Sequence, residues 1–380
     1  MNKFSHPLLI IILIISFGLR LFVLYFLPIS QKAAEPLLLS QLVNHAFLIP
    51  SWLIIAFGSL NVLLIFAILK KITSVRIGLI SALLYAISPW IAYLEVAGSL
   101  YIFLITHLLL FILGLLFLNN QRKVVGFSLV CISSLSLIYS SLVMWIVLPI
   151  LIFSLTKLNY INRERLKIYI LLIVILILPT LLLLKDTTVL KIILSREISL
   201  FSNVGLINAV NTFRGETNQT QFAAAGKYIE NRYFYLSEHL LFNLLKHISP
   251  VTYFTSEFKM LSFSFSPPIF VGFLIPLLMG LNMWFKLGVK FRWGLFMVLA
   301  LLLPSILSVD SPNMNRLVLV SPIIFLLISL GMEELLKRKN ISFKFLILVT
   351  LILVSIQGLT TLSDILKREP TRLQKSQPRI

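Results

Sequence analysis

Three observations predict an all-α polytopic membrane protein. Of the 380 residues, 58% are hydrophobic and only 12% are charged, against roughly 25% charged in an ordinary soluble domain. Apolar stretches such as Leu8–Leu27 and Ile168–Leu184 recur along the whole chain, each near the about 17–25 residues that cross a hydrocarbon layer. The 33 Lys and Arg outnumber the 14 Asp and Glu for a net charge of +19. In a soluble protein that excess would point to nucleic acid. Here the basic residues fall in alternate short segments between apolar stretches, which is the signature of membrane topology, and no nucleic-acid partner is expected.

Eleven spans are expected, each bounded by polar or basic residues. The first, 8–27, lacks a small-residue cleavage site and reads as a retained helix. The second, 52–69, runs into Lys70 and Lys71; the third, 77–93, follows Arg76; the fourth, 99–118, precedes Arg122 and Lys123. The fifth and sixth, 124–140 and 142–156, meet around Tyr139–Leu142, and Lys157 closes the sixth. The seventh, 168–184, follows Arg163, Arg165 and Lys167; the eighth, 266–285, stops at Lys286; the ninth, 293–308, follows Lys290 and Arg292. The tenth, 316–332, leads to Lys337, Arg338 and Lys339, and the eleventh, 345–361, follows Lys344.

With the N-terminus inside, these basic clusters all lie on the cytoplasmic side and, with Lys3, hold more than half of the Lys and Arg. Only Glu164, Glu333 and Glu334 share that side, so chemistry that needs a carboxylate falls outside. Two outer segments are long enough to build a site: 28–51, and the polar, aromatic 185–265. The expected organisation is a transmembrane module over 1–184 with its first outer loop at 28–51, a large outer region over 185–265, further transmembrane helices over 266–362, and a disordered basic tail over 363–380. The expected location is the plasma membrane. Five His and the single Cys131 show no ligand spacing, so no metal, disulfide or cofactor is predicted.

Particular runs carry a resemblance. Ala56-Phe-Gly-Ser-Leu-Asn-Val-Leu-Leu-Ile-Phe-Ala-Ile-Leu-Lys-Lys followed by Ala82-Leu-Leu-Tyr-Ala-Ile-Ser-Pro-Trp-Ile resembles the second and third helices of the GT-C glycosyltransferases. The branch it is most similar to includes bacterial protein-mannosyltransferase-like and aminoarabinose-transferase-like enzymes. Gly226-Lys-Tyr, Ile248-Ser-Pro, and Asp310-Ser-Pro-Asn-Met-Asn-Arg leading to Ser321-Pro and Gly331 resemble that group's large outer loop and late outer turn. The resemblance spans most of 8–340 and rests on the order and spacing of motifs that are weak one by one. It implies a GT-C-like bundle with a helical outer loop region, a polyprenyl-phosphate-linked sugar as donor, and a glycan, lipid or protein acceptor on the outer face. Such a reaction needs an apolar groove for the prenyl chain, a cation for its phosphate and a carboxylate to deprotonate the acceptor.

The chain departs from the pattern at its expected base. The group carries Asp-Glu just after the first helix, and the matching dipeptide here is Ala34-Glu35; the three Asp of the chain are Asp186, Asp310 and Asp364. Glu35 then has two readings, a replacement base reaching about one methylene further, or a solvated acid before Pro36 favoured by a helix dipole. Glu95, at the end of the third span, is the second catalytic candidate, because an ionisable group in apolar surroundings marks a site; its plain reading is an interfacial acid facing water.

Among binding candidates, Arg316 matches the late-turn arginine of the resemblance. It reads either as a donor-phosphate ligand, bidentate through its guanidinium, or as a snorkelling anchor. Arg20, inside the first span, reads as a substrate group or as the partner of a nearby carboxylate or carbonyl. Lys227, Arg232 and Tyr233 suit sugar stacking and phosphate binding, or an interfacial belt. Asn44 and His45 suit a sugar hydroxyl or the capping of an interfacial helix. His107, in the fourth span, reads as a packed helix–helix hydrogen-bond donor and not as a relay. Three functions compete: a transferase, a non-catalytic descendant that binds lipid-linked sugar, and a transporter or flippase, which would show repeats and interrupted helices with ionisable groups at mid-membrane.

Overall fold

The computed structural model describes residues 5–26, 51–96, 98–119, 123–158, 200–201, 232–254, 268–286, 288–338 and 341–363, with 205, 208, 210–212 and 216 between them. These residues form helices and short turns, and no strand occurs among them. In chain order the helices are α1 (Ser5–Phe26), α2 (Ser51–Ile72), α3 (Val75–Ile87), α4 (Pro89–Val96), α5 (Leu100–Asn119), α6 (Lys123–Ser140) and α7 (Met144–Lys157). There follow α8 (Arg232–Ile248), α9 (Val251–Phe254), α10 (Leu274–Phe285), α11 (Val289–Ile306), α12 (Met314–Leu317), α13 (Ser321–Lys337) and α14 (Ile341–Ser363). Trp52–Ile72, Leu100–Leu118, Met314–Lys337 and Lys344–Thr361 are long and apolar enough to cross a bilayer, α3 with α4 makes a fifth as one bent span, and five shorter apolar helices accompany them. The protein is an all-α membrane protein.

Each expected span meets a helix except 168–184, which lies outside the described residues, as do the first outer loop and the tail beyond Ser363. The third expected span differs in being two helices, bent by 58°. Pro89 has no N–H to continue the ladder and pushes Ser88 to an extended ψ of 120°. Ser88 then caps the new helix, its Oγ accepting from the Ile91 N–H at 3.5 Å. The eighth span starts late, with a 3-10 turn at Val271–Phe273 before α10.

Bundle packing relies on small residues and hydroxyls, as expected where lipid offers helices no hydrophobic incentive to associate. The α10 and α13 backbones touch at Gly280 and Gly331: a Cβ at 280 would lie 1.9 Å from the Leu327 carbonyl oxygen, and one at 331 would lie 1.8 Å from that of Pro276. Ser81 of α3 donates to Ser329 of α13 at 2.7 Å. Ile65, Tyr85 and Phe111 from α2, α3 and α5 fill the apolar interior. By contrast α8 buries Leu236 with the polar Asn243 and His247, while Phe234, Leu241, Phe242, Leu245 and Ile248 are exposed.

Candidate functional site

Two polar clusters sit inside this apolar frame, each built around a buried arginine. In the first, Arg20 of α1 and Glu95 of α4 are both 0% exposed. The guanidinium grips the carboxylate with two nitrogens, Nη2 donating to Oε1 at 2.9 Å and Nε to Oε2. Such a fork-to-fork pairing is the geometry that suits arginine to buried carboxylates. The remaining Nη1 donates to the Ser16 carbonyl at 2.8 Å, to Ser16 Oγ, and to the Ala86 carbonyl at 3.4 Å. Ala86 is in the last turn of α3, so its carbonyl is one of those that the Pro89 break leaves without a helical partner. Thus the bend creates an acceptor that Arg20 fills.

Glu95 is fixed from both sides. Behind its backbone, Gly98 adopts φ +72°, while the Gly98 N–H bonds the Glu95 carbonyl at 3.1 Å and the Ser99 N–H bonds that of Leu94 at 2.9 Å. This pair of bonds is a Schellman motif, which favours glycine at its left-handed position. In front, Gly58 of α2 makes room: a Cβ there would lie 1.9 Å from Glu95 Oε1. Nearly one turn further along α2, Asn61 Nδ2 donates to the Tyr85 hydroxyl at 3.0 Å and to the Ile102 carbonyl at 3.5 Å. Both residues are 0% exposed, and Asn61 Oδ1 has no hydrogen-bond partner.

The second cluster forms at the C-terminal end of α11, where Pro304 interrupts the ladder. Leu303 and Ser305 carbonyls accept from Leu307 and Ser308 amides at 3.0 and 3.2 Å. Side chains satisfy the other two: Arg316 Nη1 donates to the Pro304 carbonyl at 3.2 Å, and Asn243 Nδ2 of α8 to that of Ile306 at 2.9 Å. A cation at a helix C-terminus also meets the negative end of the dipole. His247 Nε2 lies 2.7 Å from Ser305 Oγ and its Nδ1 2.6 Å from the Asn243 carbonyl. Ser305 Oγ accepts from the Asn313 amide at 3.0 Å, and Asn313 caps α12 by accepting from the Arg316 amide at 3.2 Å. Burial pushes the His247 imidazole below its ordinary pKa, the Asn243 carbonyl opposing this and Lys246 reinforcing it.

Of the residues predicted from sequence, the structure therefore joins Arg20 to Glu95 and places Arg316 in a separate cluster of its own. Arg232 opens α8, and Tyr233 beside it is 77% exposed. Glu35, Asn44, His45 and Lys227 lie outside the described residues. His107 bonds the Phe103 carbonyl in its own helix at 2.9 Å and packs on the Phe103 ring. Sequence reasoning passed over Asn61, Asn243, His247 and Ser305. The available signal was polarity in an apolar or amphipathic helix, Asn243 and His247 being four apart and so on one face of α8. Among the described residues no three His, Cys, Asp or Glu gather to hold a metal ion.

No protein-family model matches the chain, and no curated protein matches it. Among solved structures it is similar to the Archaeoglobus fulgidus oligosaccharyltransferase, crystallised with zinc and sulfate, at 14% identity and a TM-score of 0.47. The similarity covers 86% of this chain and 44% of that one, so the chain spans less than half of that protein's length.

Proposed function

We propose that this chain is a GT-C-type membrane glycosyltransferase that moves a sugar from a polyprenyl-phosphate-linked donor to an acceptor on the outer face of the plasma membrane. The observation that carries the reading is Arg316. The Asp310–Arg316 run, which gave the resemblance its late outer turn, folds into a capped turn that buries a guanidinium against the end of an apolar helix. An interfacial cation in that setting suits a lipid-linked phosphate, whose prenyl chain stays in the bilayer while the phosphate meets the donor group. Both Glu95 oxygens face Arg20, so we assign Glu95 to holding Arg20 and α4 rather than to taking a proton. That leaves Glu35 as the base, with Asn44, His45, Lys227, Arg232 and Tyr233 as contacts for the sugar and its phosphate.

Ala34 supports a second reading, in which the chain binds lipid-linked sugar without turning it over, since the group's acid is an alanine here. The broken α3–α4 span beside a buried ion pair is a feature expected of a transporter. However, the Schellman turn and the fork of Arg20 bonds fasten this break instead of freeing it. Transfer of radiolabelled sugar from polyprenyl-phosphate donors by the purified protein in lipid separates the readings. The transferase reading expects turnover in the wild type, abolished by Glu35→Gln and reduced about tenfold or more by Arg316→Ala. Donor binding that needs Arg316, with no turnover, would establish the binding protein. Turnover indifferent to both substitutions would overturn the assigned roles.

A further inference from the structure

Hydrogen bonds around α11 link helix α8 to the backbone of Arg316, with the Arg316 and Asn313 amides donating toward the α8 side. His247 Nδ1 faces a carbonyl oxygen, which can only accept, so Nδ1 carries the proton and Nε2 is the acceptor. The Ser305 hydroxyl then has two acceptors for its one proton, Nε2 at 2.7 Å and the Asn313 carbonyl at 3.2 Å, the shorter being Nε2, and its Oγ accepts from the Asn313 amide. Asn313 accepts from the Arg316 amide, and the Arg316 guanidinium returns to the Pro304 carbonyl, one residue from Ser305. Asn243, one turn before His247, closes the other side through the carbonyls of Ile306 and Ser308 at 2.9 and 3.4 Å. The Tyr253 hydroxyl of α9 donates to the His247 carbonyl at 2.9 Å, fixing the end of α8 itself. Ser305 is 0% and His247 2% exposed, so neither meets a ligand; both act on what Arg316 presents.

We propose that His247, seconded by Asn243, is a positioning residue for the Arg316 turn, so that α8 sets donor-phosphate affinity through a side chain that never touches the donor. This rests on the reading of Arg316 as the phosphate ligand. Removing a buried partner from such a chain leaves the serine hydroxyl and the turn amide to find others, which shifts the guanidinium by fractions of an ångström where charge-assisted bonds are most sensitive to placement.

The test compares His247→Leu, which fills the space without a polar atom, with His247→Gln, which keeps an acceptor near the Nε2 position. Two measurements are made on full-length protein in lipid nanodiscs: amide hydrogen exchange at Asn313 and Arg316, and binding of a polyprenyl phosphate against a neutral polyprenol. His247→Leu is expected to speed exchange at both amides about tenfold and to weaken the phosphate ligand about five- to tenfold, with polyprenol unchanged. His247→Gln is expected to restore both, and exchange in α5 to stay constant throughout. Unchanged exchange in His247→Leu overturns the proposal, as does loss that spreads into α5 or that Gln fails to rescue. If His247→Leu loosens the turn while Arg316→Ala leaves phosphate binding intact, positioning of the turn stands and the phosphate reading of Arg316 fails.

Discussion

Arg20 and Arg316 are both buried arginines in apolar helical surroundings, at 0% and 8% exposure, yet the protein accommodates them by different means. Arg20 is met by a carboxylate with two of its nitrogens and by the spare carbonyl of a broken helix with a third. Every part of that arrangement comes from membrane helices: α1, the α3–α4 break, and a glycine of α2 that vacates the space. Arg316 instead caps a helix terminus, and its turn is tied by His247 and Asn243 to α8, a helix from the long segment between spans. The first cluster is sealed within the bundle, whereas the second is held in part by α8. The contrast teaches which arginine a ligand or a loop can influence.

The contrast breaks most easily at Glu95. Removing one member of a buried pair leaves an uncompensated charge, which destabilises by about 3–5 kcal/mol. Glu95→Gln should lower the unfolding temperature of the protein in lipid by the largest margin of any single change in either cluster. Arg20→Met combined with Glu95→Leu should recover most of that loss, since two apolar groups of similar volume need no partners. A Glu95→Gln protein as stable as the wild type would mean that the pair does not hold the bundle, and Glu95 would return as a candidate base.

The parts legible in sequence follow from solvent. Hydropathy and the charged segments between spans place the helices because the bilayer enforces length and sidedness on every one. Arg20 and Glu95 were each conspicuous for the same reason, an ionisable group in an apolar run. What the sequence did not show is that they meet, 75 positions apart. Ser88-Pro89 is visible as a helix-breaking dipeptide, but neither the 58° angle of the bend nor the use of a freed carbonyl by Arg20 can be read from it. His247 and Ser305 stayed hidden because each is ordinary in its own helix. Only the docking of α8 on the end of α11 makes them a chain.

A smaller effect sharpens the comparison from the α2 side. A methyl group at position 58 would overlap Glu95 Oε1, with the built Cβ only 1.9 Å away. The carboxylate must then swing or α2 must shift, either of which disturbs the fork of bonds to Arg20. Overpacking of this kind destabilises by about 1–3 kcal/mol. Gly58→Ala should therefore lie between wild type and Glu95→Gln in thermal unfolding, and the penalty should shrink sharply in the Arg20→Met, Glu95→Leu background. An equal penalty in both backgrounds would show that Gly58 serves helix packing and not the ion pair.

The smallest effect tests the other cluster, through pH. A His247 released from the docking face titrates near the ordinary 6.5. Docked, it titrates lower, chiefly because burial penalises the imidazolium, with Lys246 adding repulsion. The undocked form therefore takes up a proton first as pH falls. Docking of α8 is at full strength above about pH 6.5 and weakens as pH drops from there towards the docked value. Amide exchange along α8 and at Asn313 should rise a few-fold between pH 7.5 and about 5.5 after correction for intrinsic exchange rates. His247→Gln should flatten that profile, because its amide does not titrate. A wild-type profile already flat, or one unchanged by the substitution, would place the sensitivity elsewhere and leave the α8 contact as sealed as the Arg20 pair.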